Sequence, residues 1–294
     1  MIRRFVPLFI VAAVALLMYR SSRPVRTAAA ALLPPVSATP VTIDESSASA
    51  ELYVNPSLPG ASDANPGSST LPLLTIARAA AMSAKNNQRG VGTHIIIAPG
   101  EYRESVTLPP AGGTIAPIIF EAASGGPVII SGSDIWTGWQ LASDSITYVA
   151  PWPYQWGLAA YPNGWQGQVV LMPIVQRREM IFVNGEPLRQ VLTSADLDFG
   201  TFVVQEDQGL VSIRPSKGVA LPLATVEVAV RPVLFSASGQ QNLVLRGITF
   251  QHGNAALPDG SVQITNSKNV LIDGCDFVNN NWIGLQVAED SNLT

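Results

Sequence analysis

The stretch Asn242-Leu-Val-Leu-Arg-Gly-Ile-Thr-Phe250 aligns without gaps on Asn269-Val-Leu-Ile-Asp-Gly-Cys-Asp-Phe277, a spacing of 27 residues. Gly247 falls on Gly274 and Phe250 on Phe277. A third copy begins at Asn292-Leu293, 23 residues after Asn269, and Val262-Gln-Ile264 falls on Leu285-Gln-Val287 at that same offset of 23. Short apolar runs bounded by Gly, Asn, Asp and Ser are strands joined by tight turns. A period in the twenties with three such strands per unit predicts a stacked parallel β-helix, because each coil must lay its apolar side chains over those of the last. Each coil then adds about 4.8 Å of length, the spacing between hydrogen-bonded strands. Asn242, Asn269 and Asn292 stack at one turn in this reading. The L-x-x-L-x-L-x-x-N pattern of leucine-rich repeats is not met.

Working outward, His94-Ile-Ile-Ile97, Ile118-Ile-Phe120 and Val128-Ile-Ile130 are further short strands. Only Leu74 to Lys85 reads as a helix, with Thr75 as N-cap and Ile76, Ala79, Ala80 and Ser83 as a small-residue face. Residues 133–235 break the coil pattern and hold five of the six tryptophans, Trp136, Trp139, Trp152, Trp156 and Trp165, with Trp282 outside. Their second half alternates as antiparallel strands, and Asn184-Gly185 predicts a hairpin turn.

Charged residues make up 13% of the 294, about half the usual ~25% share. That scarcity argues against a coiled coil and against a basic nucleic-acid binder, so no nucleic-acid partner is expected. Residues 27–294 carry 12 basic and 21 acidic side chains, a net charge near −9, which disfavours polyanions. The single cysteine, Cys275, excludes an internal disulfide and any CxxC motif, and its apolar surroundings predict a small core residue. At the N-terminus, Arg3-Arg4 precede a 15-residue apolar run from Phe5 to Tyr19, followed by Arg20, Arg23 and Arg26. This is an export signature: residues 1–26 are a signal peptide, or alternatively a membrane anchor through residues 5–19, with the body outside. Residues 27–50, rich in Ala, Pro, Ser and Thr, read as a flexible linker.

The ordered set Leu52-Tyr-Val-Asn-Pro56, Pro72-Leu-Leu-Thr-Ile76, His94-Ile-Ile-Ile-Ala-Pro-Gly-Glu-Tyr-Arg-Glu-Ser-Val106, Pro117-Ile-Ile-Phe-Glu-Ala122 and Pro127-Val-Ile-Ile-Ser-Gly132 resembles the opening of right-handed parallel β-helix proteins of the pectin-lyase-like superfamily. The resemblance covers roughly residues 51–132 and 240–294. It implies an all-β fold, a right-handed parallel β-helix (solenoid) whose N-terminal α-helix caps the open end of the coil. The 133–235 segment resembles the insert of β-helical xylosidase-like hydrolases. The resulting division is 51–132 for the cap and first coils, 133–235 for a β-rich insertion, and 236–294 for further coils that continue beyond the given chain. For reaction the resemblance is weak, since the superfamily holds hydrolases, lyases, epimerases and noncatalytic adhesins.

In that family the site lies on the groove outside one parallel sheet. Here the candidate strands are 262–264 and 285–287, whose alternation sends Gln263, Thr265 and Gln286 outward, with Gln263 and Gln286 as substrate-binding candidates. None of these is an acid or base. The loop His252-Gly-Asn-Ala-Ala-Leu-Pro-Asp-Gly260 offers His252 and Asp259 as weak catalytic candidates and Asn254 as a binding one. Glu289 and Asp290 follow a candidate strand and are further weak catalytic candidates. Trp152 and Trp156, with Tyr154, are candidates for sugar stacking, or alternatively bury the insert. Hydrolysis needs two facing carboxylates, ~5–5.5 Å apart for retention and ~6.5–9.5 Å for inversion. A uronate lyase needs cations, Ca²⁺ or Arg/Lys, for which Arg246 and Lys268 are available; Asp63/Asn65 resembles a Ca²⁺ loop only loosely. No metal site or cofactor is otherwise expected. The leading expectation is an exported carbohydrate-active protein with a glycan partner, a glycoside hydrolase in preference to a polysaccharide lyase, its main catalytic residues beyond residue 294. The rival is a noncatalytic surface or envelope β-helix that binds glycan. An acid pair on consecutive outward strand positions favours the first, and a ladder of Asn, Gln, Ser and Thr the second.

Overall fold

The computed structural model describes residues 42–110, 115–288 and the backbone of 291–293. The candidates Glu289 and Asp290, the export segment 1–26 and most of the 27–50 spacer lie outside these. Among the described residues no helix is long and apolar enough to cross a membrane. They are almost entirely β, with one α-helix and five open sheets.

In chain order the first elements are β1 (Ala50–Val54), α1 (Ile76–Asn87), β2 (Thr93–Ile97), β3 (Gly100–Tyr102), β4 (Val106–Leu108), β5 (Ile118–Ala122) and β6 (Val128–Ser131). The 133–235 segment supplies β7 (Ser133–Ile135), β8 (Gln140–Leu141), β9 (Tyr148–Pro151), β10 (Ile181–Val183), β11 (Glu186–Pro187), β12 (Arg189–Gln190), β13 (Thr201–Gln205), β14 (Leu210–Arg214) and β15 (Val226–Ala229). The chain then returns through β16 (Phe235–Ser238), β17 (Gln241–Arg246), β18 (Ile248–Gln251), β19 (Gly260–Thr265), β20 (Lys268–Asp273), β21 (Asp276–Val278), β22 (Ile283–Ala288) and β23 (Ser291–Leu293).

Three sheets are wholly parallel: sheet A in the order β1-β2-β5-β17-β20-β23, sheet B as β3-β6-β18-β21, and sheet C as β4-β16-β19-β22. Each full pass of the chain gives one strand to each. The register stacks like on like, with Leu52, Ile95, Phe120, Leu245 and Ile272 in one column of sheet A. Sheet B stacks Tyr102, Ile130, Phe250 and Phe277, and the last two rings lie 5.5 Å apart and nearly parallel. Sheet C stacks Val106, Phe235, Val262 and Leu285. These columns face one another as a single core in which Phe120 meets Phe235 edge-on at 5.3 Å. Burial of each large side chain contributes roughly 1.5–3 kcal/mol, so the repeat of apolar positions stabilises the repeat of strands. Where the turns repeat, Asn242 and Asn269 both take positive φ, and the Asn269 amide donates to Asn242 Oδ1 at 2.9 Å.

Helix α1 buries Ile76, Ala79, Ala80, Ser83 and Ala84 against β1, β2 and β4. Its free N–H groups are met by two side chains. Thr75 Oγ1 accepts from Arg78 N, and Glu104 accepts from Ile76 N and Ala77 N, both at 2.9 Å. Asp63 accepts from Leu74 N, Thr75 N and Thr75 Oγ1, so the residues that loosely resembled a Ca²⁺ loop brace the helix start instead. Among the described residues no group of three or more His, Cys, Asp or Glu is placed to hold a metal ion. At the described end of the spacer, residues 45–47 form a 3-10 turn capped by Asp44, and Glu45 grips Arg246 at 2.7 Å. Cys275 packs against the core, and burial raises its thiol pKa.

The strands of 133–235 form two further sheets, D (β11-β10-β15-β7) and E (β12-β13-β14-β9-β8), antiparallel except for the parallel pair β12 and β13. Asn184 and Gly185 take φ of 52° and 81°, as a tight β10–β11 hairpin requires. The two sheets enclose their own core, including Trp152, Ile181, Phe202, Ile213 and Val228.

Candidate functional site

The insertion leaves the three-sheet body after β6 and returns before β16, and a buried polar cluster ties it down at that point. Arg103, from the β3–β4 connection, donates to Ser133 O, Ser133 Oγ and Glu227 Oε1, each at 2.9 Å, and to Glu101 Oε2 at 2.8 Å. Ser133 Oγ also donates to Glu227 Oε1 at 2.9 Å and lies 3.1 Å from His252 Nδ1. The His252 ring stacks on Phe182 of β10 with centroids 3.7 Å apart. His252 is 3% exposed, so this candidate acid–base residue is placed inside the joint between body and insertion.

Burial pushes the His252 pKa down to about 4 from 6.5, despite the attraction of Glu227 and helped by the charge on Arg103. A histidine that protonates more readily unfolded than folded contributes full stability above pH 6.5. That contribution is lost as the pH falls from 6.5 toward 4, to a total of about 3 kcal/mol. The expected result is that His252→Asn flattens the loss of urea stability between pH 7 and pH 4.5 relative to the parent. Asparagine stands at the matching position of the next pass, Asn279, with the same left-handed backbone, φ 49° against 61°. Equal losses in the two proteins would show that other groups carry the acid sensitivity.

Beside this joint lies a cleft of about 270 Å³. Its apolar walls come from Phe182, Leu188 and Phe202 of the insertion, and its polar rim from Glu179, Gln190 and Asn279 to Asn281. The Glu179 side chain is fully buried, with Oε2 accepting from Arg177 Nε at 3.0 Å, Arg178 N at 3.1 Å and Gln190 Nε2 at 3.1 Å. Its Oε1 packs against the Arg177 guanidinium without an aligned hydrogen bond. Asn280 and Asn281 are held by Gly253 N, Phe250 O and Ala255 O, whereas the exposed Asn279 amide bonds to no described residue. The cleft thus presents the Gln190 and Asn279 to Asn281 amides over a buried apolar floor, with the Glu179 carboxylate held behind it. It can bind a hydroxyl-rich ligand, but a single carboxylate does not supply the acid–base pair for glycosidic cleavage. Glu179 lines this cleft and Asp196 another, of about 400 Å³, and neither cleft is lined by a second carboxylate.

The other sequence candidates are placed as follows. Asn254 is fully buried, donating to Ala229 O at 3.1 Å and accepting from Arg178 Nη2 at 3.3 Å. Asp259 is exposed on the loop. Gln263 and Gln286 do lie on the outer face of sheet C, in one row with Thr107 and Ser236, where Gln286 Oε1 accepts from Gly260 N and Gln263 Nε2 donates to Gly260 O. The tryptophans need correcting. Trp152 is 2% exposed within the insertion core, and Trp156 is covered by Tyr154 stacked at 4.5 Å and by the Arg178 guanidinium at 4.8 Å. Trp152 is therefore closed to a sugar, and Trp156 is partly covered. Arg246 is bound by Glu45, Glu121 and Asp273, which raise its pKa further.

Glu179, Arg103 and Glu227 were not singled out by the sequence. The one local signal was Arg177-Arg178-Glu179, a dense charge run in a chain with few charges.

No family model and no curated protein matches the chain. Among solved structures it is similar to the complex of XylC with xylose, with TM-score 0.55 and 19% identity over 76% of this chain and 40% of that one. It is also similar to a glycoside hydrolase, with TM-score 0.54 and 14% identity over 80% of this chain and 63% of that one. At these identities the likeness is one of fold alone. The chain spans less than two thirds of either structure.

Proposed function

We propose that this chain is a carbohydrate-active protein, built as a right-handed parallel β-helix with α1 as its N-terminal cap and residues 133–235 as a β-rich insertion, and that it binds glycan in the cleft between insertion and body. Three parallel sheets fed in turn by each pass support the helix, and parallel crossovers are right-handed in roughly 98% of cases. The observation that carries the function is the cleft itself, the Gln190 and Asn279 to Asn281 amides over a buried apolar floor, on a fold similar to that of XylC in its complex with xylose. Export through residues 1–26 belongs to the same proposal.

Hydrolysis is favoured over a lyase reaction because Arg246, one of the two cation candidates, is neutralised by three carboxylates. The acid pair is contributed from outside the described residues, where Glu289 and Asp290 fall. One observation favours the second reading, a noncatalytic glycan binder: the outer row Thr107, Ser236, Gln263, Gln286 carries hydroxyls and amides and no acid.

Titration of the full chain with neutral and uronate-containing oligosaccharides, with reducing ends and unsaturated products followed in parallel, tests both. Neutral oligosaccharide is expected to bind, and Gln190→Ala to weaken it about tenfold by removing a hydrogen-bonding amide. Release of reducing ends supports the hydrolase and binding without turnover the binder. Unsaturated product, or absence of binding, overturns the proposal.

A further inference from the structure

A second cleft, of about 180 Å³, opens in the insertion and shares no lining residue with the first. Trp136, Thr137, Gly138 and Trp139 form one wall, and Tyr148, Leu221, Ala224 and Val226 the rest with Pro222. The tryptophan wall is rigid. Trp136 N donates to Val226 O at 2.8 Å, its ring is backed by Trp152 at 5.6 Å and Tyr154 at 6.4 Å, and Trp139 Nε1 donates to Trp136 O at 3.3 Å. Trp139 is half-buried, and among the described residues its ring meets no aromatic partner other than Trp136, at 6.3 Å. Its half-buried ring lines the cleft, and that is the surface it offers a ligand. The Tyr148 and Thr137 hydroxyls make no hydrogen bond to any described residue. No Asp, Glu, Lys, Arg or His lines the cleft.

We propose that this cleft is a second, noncatalytic binding site that holds one neutral pyranose ring of a glycan. The C–H face of a sugar packs on the electron-rich face of an indole, and its hydroxyls need donors and acceptors that are otherwise unengaged. Tyr148 and Thr137 supply these. A uronate is disfavoured, because its carboxylate would be desolvated with no cation beside it. The small volume fits one ring rather than a chain, so the site anchors a residue of a longer glycan. It does not depend on catalysis at the junction.

The test is tryptophan fluorescence of the full chain titrated with xylose, glucose and galacturonic acid. The junction cleft has no tryptophan in its lining, but Trp282 follows its Asn281, so the fluorescence change that persists in Trp282→Phe and is lost in Trp139→Ala reports the second cleft. A neutral sugar is expected to give a saturable shift with a dissociation constant of about 1–10 mM, galacturonic acid none, and Tyr148→Phe to weaken the shift about fivefold. Trp139→Ala should abolish it while the circular dichroism spectrum is kept. If Trp139→Ala fails to fold, Tyr148→Phe and Thr137→Ala decide. No saturable shift with either neutral sugar, or binding unchanged in Tyr148→Phe and Thr137→Ala, overturns the proposal.

Discussion

Gly132→Ala is expected to destabilise the protein by about 3 kcal/mol or more, enough to cost most of the soluble yield. Gly132 is the crossing point where the chain leaves β6 for the insertion, and a Cβ there meets His252 O at 2.3 Å, His252 C at 2.8 Å and Gly253 Cα at 2.9 Å. All three are backbone atoms, so no rotamer change relieves the overlap. Separating the strands instead breaks the bonds from Gly132 N to Gln251 O and from Val230 N and Arg231 N to Gly132 O, at 2.8 to 3.0 Å. Gly239→Ala is the control, a left-handed turn with φ of 64° and nothing within 4 Å, where only backbone strain of about 1 kcal/mol is added. Urea unfolding of the two variants measures the difference. A Gly132→Ala midpoint equal to that of Gly239→Ala would show that β6 and the His252 turn do not pack this closely.

Glu227→Ala is expected to cost about 3–5 kcal/mol, because it leaves the Arg103 guanidinium and Ser133 hydroxyl without their shared acceptor in a buried joint. Glu227→Gln keeps an oxygen in place and is expected to cost about 1–2 kcal/mol. The damage should also be local. Since Arg103 and His252 belong to the body and Glu227 to the insertion, limited proteolysis of Glu227→Ala under native conditions should release fragments cut near residues 133 and 230 first. Cleavage distributed as in the parent protein would mean that the two cores, rather than this cluster, hold the insertion in place.

The strand repeat was legible because a stacked sheet imposes its spacing on the sequence. The offset of 27 between Leu243 and Val270 and the match of Phe250 to Phe277 are the pairings the structure makes. The helix start was equally local, with Thr75 capping Arg78 N three residues on. The sites were much less legible. His252 drew attention as one of two histidines, yet its partners Ser133 and Phe182 come from the insertion, 119 residues away in the first case. Arg103 and Glu227 meet across 124 residues, and nothing in the local pattern of either marks the other. The tryptophans show the same limit, since composition gives their aromatic area but not its exposure: Trp152 is sealed in the insertion core, whereas Trp139, which was not a sugar-stacking candidate, lines a cleft.

By itself the sequence determined that this is an all-β chain with one short helix, repeating apolar columns and an interruption from residue 133 onward. Those features rest on interactions within a strand, across a turn, or between neighbouring copies of one repeat, whose spacing is fixed by backbone geometry. Only the tertiary structure decided where the insertion is locked to the body, which polar groups are consumed by that joint, and which clefts remain. Such contacts join segments a hundred or more residues apart, and burial, unlike periodicity, is a property of what the rest of the chain brings alongside.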